Sequence, residues 1–386
     1  MPTPSTDEEF FNRKRPWSRI KDQVIGSYMP PYLAKVSKLR SHIVLIDAFA
    51  GPGIYKDEES SSRLGSPLIM CAEAEKFARN NYTAIFCNRN EVHHRELAEA
   101  LERLGKLITR KKAICVLGDS SDLLNEVRSL LKSQTLLLYL DPFGLKGCEF
   151  ETIKPFLSRS KDFSTEIIIN MSVPIMHRLT AKRAVAHGQV NSRVEAFHNR
   201  LTRVLGGDWW KEVLLESSMS PDEQASEVMR RYVAQLRNYL EYAGFCPVHE
   251  ASGARLKYFI TFCSRHIDAL LLMNDIMCKA YNEYIAATAL SGTMFEKSHT
   301  WKDSRSYEKL DSMILSKVRE LGATGKIPNR SEVWTSLVTE PENFMRYTSS
   351  EYRERIKLMC GTALECIDVR GTKRLNDDTQ LRERTD

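Results

Sequence analysis

Five short apolar segments, each followed by a helical pattern, constrain the fold of this 386-residue chain more than any other feature. They recur at spacings of roughly 25 to 40 residues, and each has the length of a strand. Strands that alternate with helices in this way predict a parallel, doubly wound α/β sheet. The segments are Ile43–Ile46, Ala84–Cys87, Ala113–Leu117, Leu136–Leu140 and Glu166–Met171.

Polar residues follow four of the five segments at the point where the predicted strand ends, and three of these ends lie at or beside an acid. Because the carboxyl ends of parallel strands meet at one edge of the sheet, where open α/β sheets bind ligands, we expect these side chains to lie together. The polar ends are Asp47, which precedes the turn Gly51-Pro52-Gly53, and Asn88, Asp119 and Asp141.

Some of these residues, and a lysine near the amino terminus, also have a purely structural interpretation. Asp141 and Pro142 after a strand are a common beginning of a turn. Asp119 can cap the helix that follows it, bind a ligand, or do both. Lys21, in the N-terminal helix, is either a solvated lysine or a contact for a ligand carboxylate. The residues alone leave these alternatives open.

Composition narrows the class of protein. Hydrophobic residues make up 42% and charged residues 27% of the chain, and the net charge of +6 permits an anionic partner without requiring one. The nine cysteines include no C-x-x-C pair, which favours reduced core cysteines in a cytosolic protein over a zinc site or a catalytic thiol. His93-His94 and the other histidines lack metal-ligand spacing. No apolar run reaches about 18 residues, so we expect a cytoplasmic location and no membrane partner.

Helices are predicted on both sides of the sheet segments. The N-terminal helix spans Trp17 to Leu39 and is expected to break at Pro30-Pro31. Ser66 is expected to cap a helix that has Pro67 at its first position. Residues 174–242 indicate a helical insertion whose basic residues lie near Trp209-Trp210. These basic residues form either a solvated helix face or a nucleic-acid surface.

The remaining sequence predicts a β-hairpin and a small C-terminal domain. Apolar runs at Phe245–Ala251 and Leu256–Cys263 flank a short glycine-containing turn, as in a hairpin, and a helix follows over 267–284. Further helices are predicted over Leu310–Leu321, Ser331–Leu337 (capped by Ser331) and Ser350–Leu364, before a strand over Ala363–Val369. This order predicts either a winged-helix module or a small helical cap.

The chain therefore divides into six predicted parts. They are an N-terminal helical segment (1–40), an α/β core (41–173), a basic helical insertion (174–244), a hairpin and helix that complete the core (245–300), a helical or winged-helix domain (301–372) and a disordered tail (373–386).

The ordered strand ends resemble the motifs of class I S-adenosylmethionine-dependent methyltransferases, whose parallel sheet also finishes with a hairpin. The run 47–53 (Asp-Ala-Phe-Ala-Gly-Pro-Gly) resembles the first cofactor-binding motif. The run 141–144 (Asp-Pro-Phe-Gly) resembles the Asp-Pro-Pro-aromatic motif of amino-group methyltransferases acting on adenine or cytosine. The combination is similar to the three-Cys-motif partner protein family (TcmP), on these two motifs together with Trp17, Lys21, Gly65-Ser66-Pro67, Ile169-Asn170-Met171 and Phe262-Cys263-Ser264-Arg265-His266.

The resemblance implies a Rossmann-like class I methyltransferase sheet, found in prokaryotes, with S-adenosyl-L-methionine as cofactor and a partner protein encoded nearby. Asn88 departs from the usual acid of the second strand, and Phe143 replaces the second proline of the fourth motif. The implied catalytic positions are Asp141, Pro142 and Phe143, and the implied cofactor-binding positions are Lys21, Asp47, Phe49, Gly51, Gly53, Asn88, Asp119 and Ser120, with no metal.

The fourth motif also has a chemical rationale. An exocyclic amine of a base is a poor nucleophile because its lone pair is delocalised into the ring. Hydrogen-bond acceptors at Asp141 and at the Pro142 carbonyl can localise that lone pair, and Phe143 can stack on the base. The sequence therefore predicts methyl transfer to an amine in DNA or RNA, with a duplex target flipped out of its stack.

Two other functions stay open. The chain can be a catalytically silent adaptor or regulatory subunit that binds a partner protein and nucleic acid, as the association with a neighbouring gene implies. A nuclease or toxin-like activity at the same sheet edge ranks last, because no acids with metal-binding spacing are visible.

Overall fold

The computed structural model describes residues 16–55, 64–142, 144–180, 192–250, 255–290, 304–371 and 375–384. The contacts within the chain divide it into two units between His266 and Ile267. The helix that begins at Ile267, predicted to complete the core with the hairpin, therefore falls with the second unit.

The first unit alternates helices and strands. Its helices are α1 (Pro16–Val36), α2 (Ser66–Phe77), α3 (Glu91–Gly105), α4 (Ser120–Leu130), α5 (Phe150–Leu157), α6 (Val173–Thr180), α7 (Ser192–Leu205) and α8 (Pro221–Arg237), with a 3-10 turn at Ser37–Leu39 and a π-helical turn at Glu212–Glu216. Its strands are β1 (Ile43–Asp47), β2 (Tyr82–Asn88), β3 (Ala113–Leu117), β4 (Thr135–Leu140), β5 (Thr165–Ser172), β6 (Tyr242–His249) and β7 (Leu256–Ser264).

These strands form one seven-stranded sheet in the order β3-β2-β1-β4-β5-β7-β6. Strands β1 to β5 pair in parallel, β7 is antiparallel to β5, and β6 is antiparallel to β7. This is the strand order of the class I methyltransferase fold. The predicted fold class, a parallel Rossmann-like sheet finished by a hairpin, is confirmed.

Burial along the strands follows their place in the sheet. Every residue of the central strands β1 and β4 is buried, which is why both read as continuous apolar runs. At the edge, β3 leaves Ile114 and Leu117 about half exposed. The apolar composition of β3 therefore identified a strand but not its edge position.

The sheet lies between two helical layers. Val44 and Ile46 of β1 belong to the core formed with α4, α5, α7 and α8, whereas Ile43 and Leu45 are buried on the other face. On that second face, α1 packs on α2 and α2 on α3. Because helices cover both faces, the open edges at the strand ends are left for ligands.

Two local predictions at the helices were wrong. Helix α1 runs unbroken through Pro30 and Pro31, because Met29 and Leu33 on either side are fully buried and their packing outweighs the missing backbone donors. At the start of α2 the N-cap is Gly65 and not Ser66, whose hydroxyl donates instead to Asp47.

The helical insertion is confirmed, and both of its tryptophans pack on the core, Trp210 completely and Trp209 in part. Trp210 is fully buried and donates its indole N–H to Thr202 at 3.0 Å, and Trp209 packs against the same core. Arg200 and Arg203 are exposed on α7, while Lys182 and Arg183 lie outside the described residues. Trp210 therefore offers no stacking platform beside these cations.

The second unit is mainly helical. It comprises α9 (Ile267–Leu290), α10 (Ser304–Gly322), α11 (Arg330–Thr339), α12 (Ser349–Met359), β8 (Leu364–Ile367) and β9 (Gln380–Glu383). Strand β9 lies in the segment predicted to be disordered; it pairs with β8 and buries Leu381. Asn329, and not Ser331, caps α11 through a capping box with Glu332. The last three helices, α10 to α12, are followed by the paired strands β8 and β9, where three helices and one short strand were predicted.

The cysteine prediction was partly wrong. Cys360 and Cys366 form a disulfide, because the turn after α12 brings their Cα atoms to 5.7 Å. The other seven are free thiols, and six of them are buried, as expected for core cysteines.

Among the described residues, no helix is long and apolar enough to cross a membrane.

Candidate functional site

The carboxyl edge of the sheet, where β1 to β5 end, carries the candidate site. Backbone hydrogen bonds tie neighbouring strand ends together there: Ala48 N–H donates to the carbonyl of Tyr139, Ala50 to that of Cys87, and Gly118 to that of Asn88. These bonds hold the loops after β1, β2 and β3 in a fixed relation, so the polar residues at those ends share one edge.

Asp47 holds the turn after β1. Its carboxylate accepts the N–H of Phe49 at 3.0 Å and the hydroxyl of Ser66 at 2.7 Å. The side chain is almost fully buried, and this burial raises the pKa of Asp47 to about 7. Both carboxylate oxygens therefore serve the loop, and Asp47 lies beneath the site.

The glycine turn depends on the absence of a side chain at Gly53. Its φ of +82° is in the left-handed region, and a Cβ atom built there would lie 2.8 Å from Cδ1 of Leu97. The Gly53 carbonyl also accepts the N–H of Gly65 at 2.8 Å, which closes the base of the loop. Glycine is thus required by both backbone angle and space.

A cavity of about 210 Å³ opens beside this turn. Of the predicted site residues it brings together Lys21, Phe49, Gly51, Gly53, Asp141 and Pro142, while Phe143 lies outside the described residues. The other lining residues are Asp22, Pro52, Tyr55, Gly65, Ser66, Pro67, Asn170, Ser172, Pro174, Lys257 and Tyr258.

Asp141 is the centre of a polar network in this cavity. The Lys21 ammonium donates to its carboxylate at 2.5 Å, in an ion pair whose side chains are 15% and 26% exposed. The Tyr139 hydroxyl donates to the same oxygen at 3.4 Å, and the side-chain amide N–H of Asn170 donates to the Tyr139 oxygen at 3.0 Å.

This network fixes the orientation of Asn170. Since the Tyr139 proton points to Asp141, the tyrosine oxygen must accept, and only the amide nitrogen of Asn170 can donate to it. The amide oxygen of Asn170 is then left buried without a partner among the described residues, in a side chain that lines the cavity. The cavity wall therefore contains two acceptors, the Asp141 carboxylate and the buried Asn170 oxygen.

Asn88 does not line the cavity. Its amide nitrogen donates to the carbonyls of Ala50 at 2.5 Å and Gly51 at 3.1 Å, and its side chain is 2% exposed. An amide can donate to carbonyls where a carboxylate cannot, which explains the departure from an acid. Asn88 thus holds the first-motif loop from below.

Asp119 and Ser120 also lie outside the cavity lining. Asp119 caps α4 by accepting the N–H of Ser121 at 3.0 Å and pairs with Lys146 at 2.8 Å. The hydrogen bond from Lys146 is the main reason that the pKa of Asp119 lies below its usual value. Ser120 is buried against Gly147. The structure therefore shows the capping role, one of the alternatives that the sequence left open.

Sequence reasoning missed several residues that line the cavity, among them Asp22, Tyr55, Lys257 and Tyr258. Lys257 and Tyr258 are the second and third residues of β7, where Tyr258 pairs with Ser172 of β5 at the carboxyl edge. The ammonium of Lys21 lies 5.4 Å from the Tyr258 ring centre, a cation–π distance. The predicted hairpin was the available signal, because an antiparallel strand beside β5 must start at this edge.

The described residues contain no group of three or more His, Cys, Asp or Glu side chains placed to hold a metal ion.

Comparisons with known proteins concern the fold alone. No protein-family model and no curated protein sequence matches the chain. Among solved structures it is similar to spermidine synthase from Thermotoga maritima (10% identity over 68% of this chain and 67% of that chain, TM-score 0.33). It is similar to an O-methyltransferase from Bacillus cereus in complex with S-adenosylhomocysteine (12% identity over 68% of this chain and 92% of that chain, TM-score 0.33). It is also similar to M. capricolum TrmK in complex with S-adenosylhomocysteine (12% identity over 85% of this chain and 98% of that chain, TM-score 0.27). At these values the strand order remains the basis for assigning a class I methyltransferase-like fold.

Proposed function

We propose that this chain is an S-adenosylmethionine-dependent methyltransferase, related to the TcmP family, whose acceptor is an exocyclic amine of a nucleic-acid base. The observation that carries the proposal is the pair of acceptors, Asp141 and Asn170, in a cavity beside the glycine turn after β1. An amine with two N–H donors is complementary to two such oxygens.

The residues present suit the methionine end of the cofactor. Lys21 lines the cavity, and its ammonium is complementary to the α-carboxylate of the cofactor. Gly51 and Gly53 allow close approach to the backbone. When bound, the cofactor supplies an electrophilic methyl group on a sulfonium. On the adenosine side, Asn88 and Asp119 are already engaged with the protein, and Asp119 retains partial exposure for a ligand amine.

Asp141 and Asn170 would activate the acceptor. Hydrogen bonds from the amine to both oxygens localise the nitrogen lone pair. Tyr139 hydrogen-bonds both Asp141 and Asn170 and so fixes the position of one relative to the other. Methylation leaves a cationic nitrogen that must lose a proton, and the Asp141 carboxylate is the base at that position. Lys21 must move from Asp141 or share it with the amine, so acceptor binding and the ion pair are coupled.

Calorimetry with S-adenosylhomocysteine and a labelled-methyl transfer assay on DNA, RNA, transfer RNA and protein test the proposal. Asp141→Asn should retain ligand binding and lose transfer by at least about 100-fold, the scale of an oriented electrostatic contact. Asp162→Asn, an exposed acid at the opposite edge, is the control and should change neither. No binding of S-adenosylhomocysteine by the wild type would refute the proposal.

A catalytically silent adaptor is the second candidate, and the Lys21–Asp141 pair is the observation that favours it, because the pair occupies the acceptor carboxylate. A partner protein encoded nearby would then supply the activity. Transfer measured with and without the neighbouring gene product separates the two functions. If the chain is an adaptor, no methyl transfer is expected when the partner is inactivated, even though Asp141 of this chain is intact.

A further inference from the structure

The amino edge of the sheet, opposite the cavity, has an unusual charge. Its loops are 37–42, 78–81, 106–112, 131–134, 158–164, 238–241 and 265–266, which lead into β1 to β6 and follow β7. Together they contain eleven Lys or Arg residues and only two acids, Asp162 and Glu241. The net positive charge of the chain is thus concentrated at one edge.

Four of the eleven cations have structural roles. Arg110 and Lys112 pair with Glu75 at 3.0 and 2.7 Å. Arg159 donates to the Gln134 carbonyl, and Arg265 donates to the carbonyls of Ser160 and Phe163. These side chains anchor the loops and are not available to a partner.

The other seven cations are exposed. None of them belongs to an ion pair among the described residues, although Lys106 interacts electrostatically with the Glu102 carboxylate. In the order β3, β2, β1, β4, β5 they lie in five adjacent loops. At about 4.8 Å between strands these loops span roughly 19 Å. We name this set the amino-edge row: Lys106, Lys111, Arg79, Lys38, Arg40, Lys132 and Lys161.

Helix dipoles do not account for the whole row. The helices before β1 to β5 end at this edge, and basic residues in a last turn offset the carbonyl charge there. Lys111, Lys132 and Lys161, however, lie beyond the ends of α3, α4 and α5. Their charge is therefore available to a ligand.

We infer that the amino-edge row binds the phosphate backbone of a nucleic acid. Seven exposed cations in five adjacent loops, spread over roughly 19 Å, match a polyanion with regularly spaced charges. A lipid surface fits less well, because the exposed apolar side chains near this edge are spread over both helical layers and one loop: Phe77 and Leu104 on α2 and α3, Leu130 on α4, and Leu39 in the loop before β1.

The inference deepens the proposed function and rests on it for the role of the nucleic acid as substrate. Strands of five to eight residues separate the row from the cavity by roughly 17 to 26 Å. A substrate that contacts both edges must therefore be large and folded or bent around the sheet. A short oligonucleotide would reach only the cavity.

Binding of labelled transfer RNA and of a labelled 30-base-pair DNA duplex to the full chain, as a function of salt, tests the inference. The variant Lys106→Ala/Lys111→Ala/Lys132→Ala should bind at least tenfold more weakly. Its dependence of log K on log salt should be shallower by roughly 2 to 3, because each lost phosphate contact removes about 0.7 to 0.9 from the slope. The control Arg200→Ala/Arg203→Ala/Lys309→Ala removes the same charge from exposed positions elsewhere and should bind like the wild type.

Several outcomes would overturn the inference. The first three are an equal loss of nucleic-acid binding in both triple variants, a loss in the control variant alone, and no binding by the wild type. The fourth is a Lys106→Ala/Lys111→Ala/Lys132→Ala variant that binds nucleic acid like the wild type and loses binding only to phosphatidylserine vesicles, measured in parallel. Binding without S-adenosylhomocysteine affinity would refute the methyltransferase and leave the surface intact, so the two proposals fail separately.

Discussion

Asp47 gives a quantitative test of the site, because its carboxyl group is buried and asparagine is nearly the same shape. Burial raises the pKa of Asp47 from 3.8 to about 7, against the lowering effect of the hydrogen bonds from Ser66 and Phe49. The nearby carboxylates of Asp141 and Asp22 raise the pKa further. Folding therefore favours the protonated acid.

The raised pKa of Asp47 determines the direction in which stability changes with pH. The contribution of Asp47 to stability is complete below pH 3.8 and is lost as the pH rises through 7. One pKa unit corresponds to about 1.4 kcal/mol, so the full loss is about 4 kcal/mol, of which about 3 kcal/mol falls between pH 5 and pH 8.5.

Asp47→Asn removes this titration and keeps both contacts, since the amide oxygen can accept from Phe49 and the amide nitrogen can donate to Ser66. We expect the free energy of unfolding of the variant, relative to the wild type, to rise by about 3 kcal/mol from pH 5 to pH 8.5. Urea denaturation followed by circular dichroism at the two pH values measures this difference. Asp162→Asn, at an exposed position, should show no such change. A constant difference between Asp47→Asn and the wild type would refute the burial argument.

Three further predictions concern the rest of the chain. Burial raises the pKa of Glu166 to about 7, against the effects of Tyr28 and Lys35, so Glu166→Gln should gain about 3 kcal/mol of relative stability between pH 4.5 and pH 8 in the same denaturation assay. Gly53→Ala should cost about 1 to 3 kcal/mol and weaken binding of S-adenosylhomocysteine in calorimetry, whereas Gly26→Ala, whose Cβ would meet only Ile69 at 3.7 Å, should not destabilise the fold. Cys360→Ser should lose about 2 kcal/mol, seen as a lower melting temperature without reductant and no difference with it.

The main elements of the first unit were predictable because their patterns are local. Apolar runs marked β1 to β5, and the glycine-containing turn marked the hairpin β6–β7. Capping and helix breaking were less predictable, because they depend on tertiary partners. Pro30 and Pro31 stay in a helix whose neighbouring residues are buried, and the Ser66 hydroxyl binds Asp47 across the loop.

The candidate site likewise has features that local sequence patterns determine and features that depend on tertiary contacts. By itself the sequence determined that polar residues end the strands of a parallel sheet, since strand length and alternation fix which edge those residues share. Only the tertiary structure decided their roles. Long-range contacts direct Lys21 to Asp141 and Asn88 to the loop after β1, and they leave the Asn170 oxygen buried beside the cavity. They also gather separate loop cations into the amino-edge row, because strand order, and not sequence order, places those loops side by side.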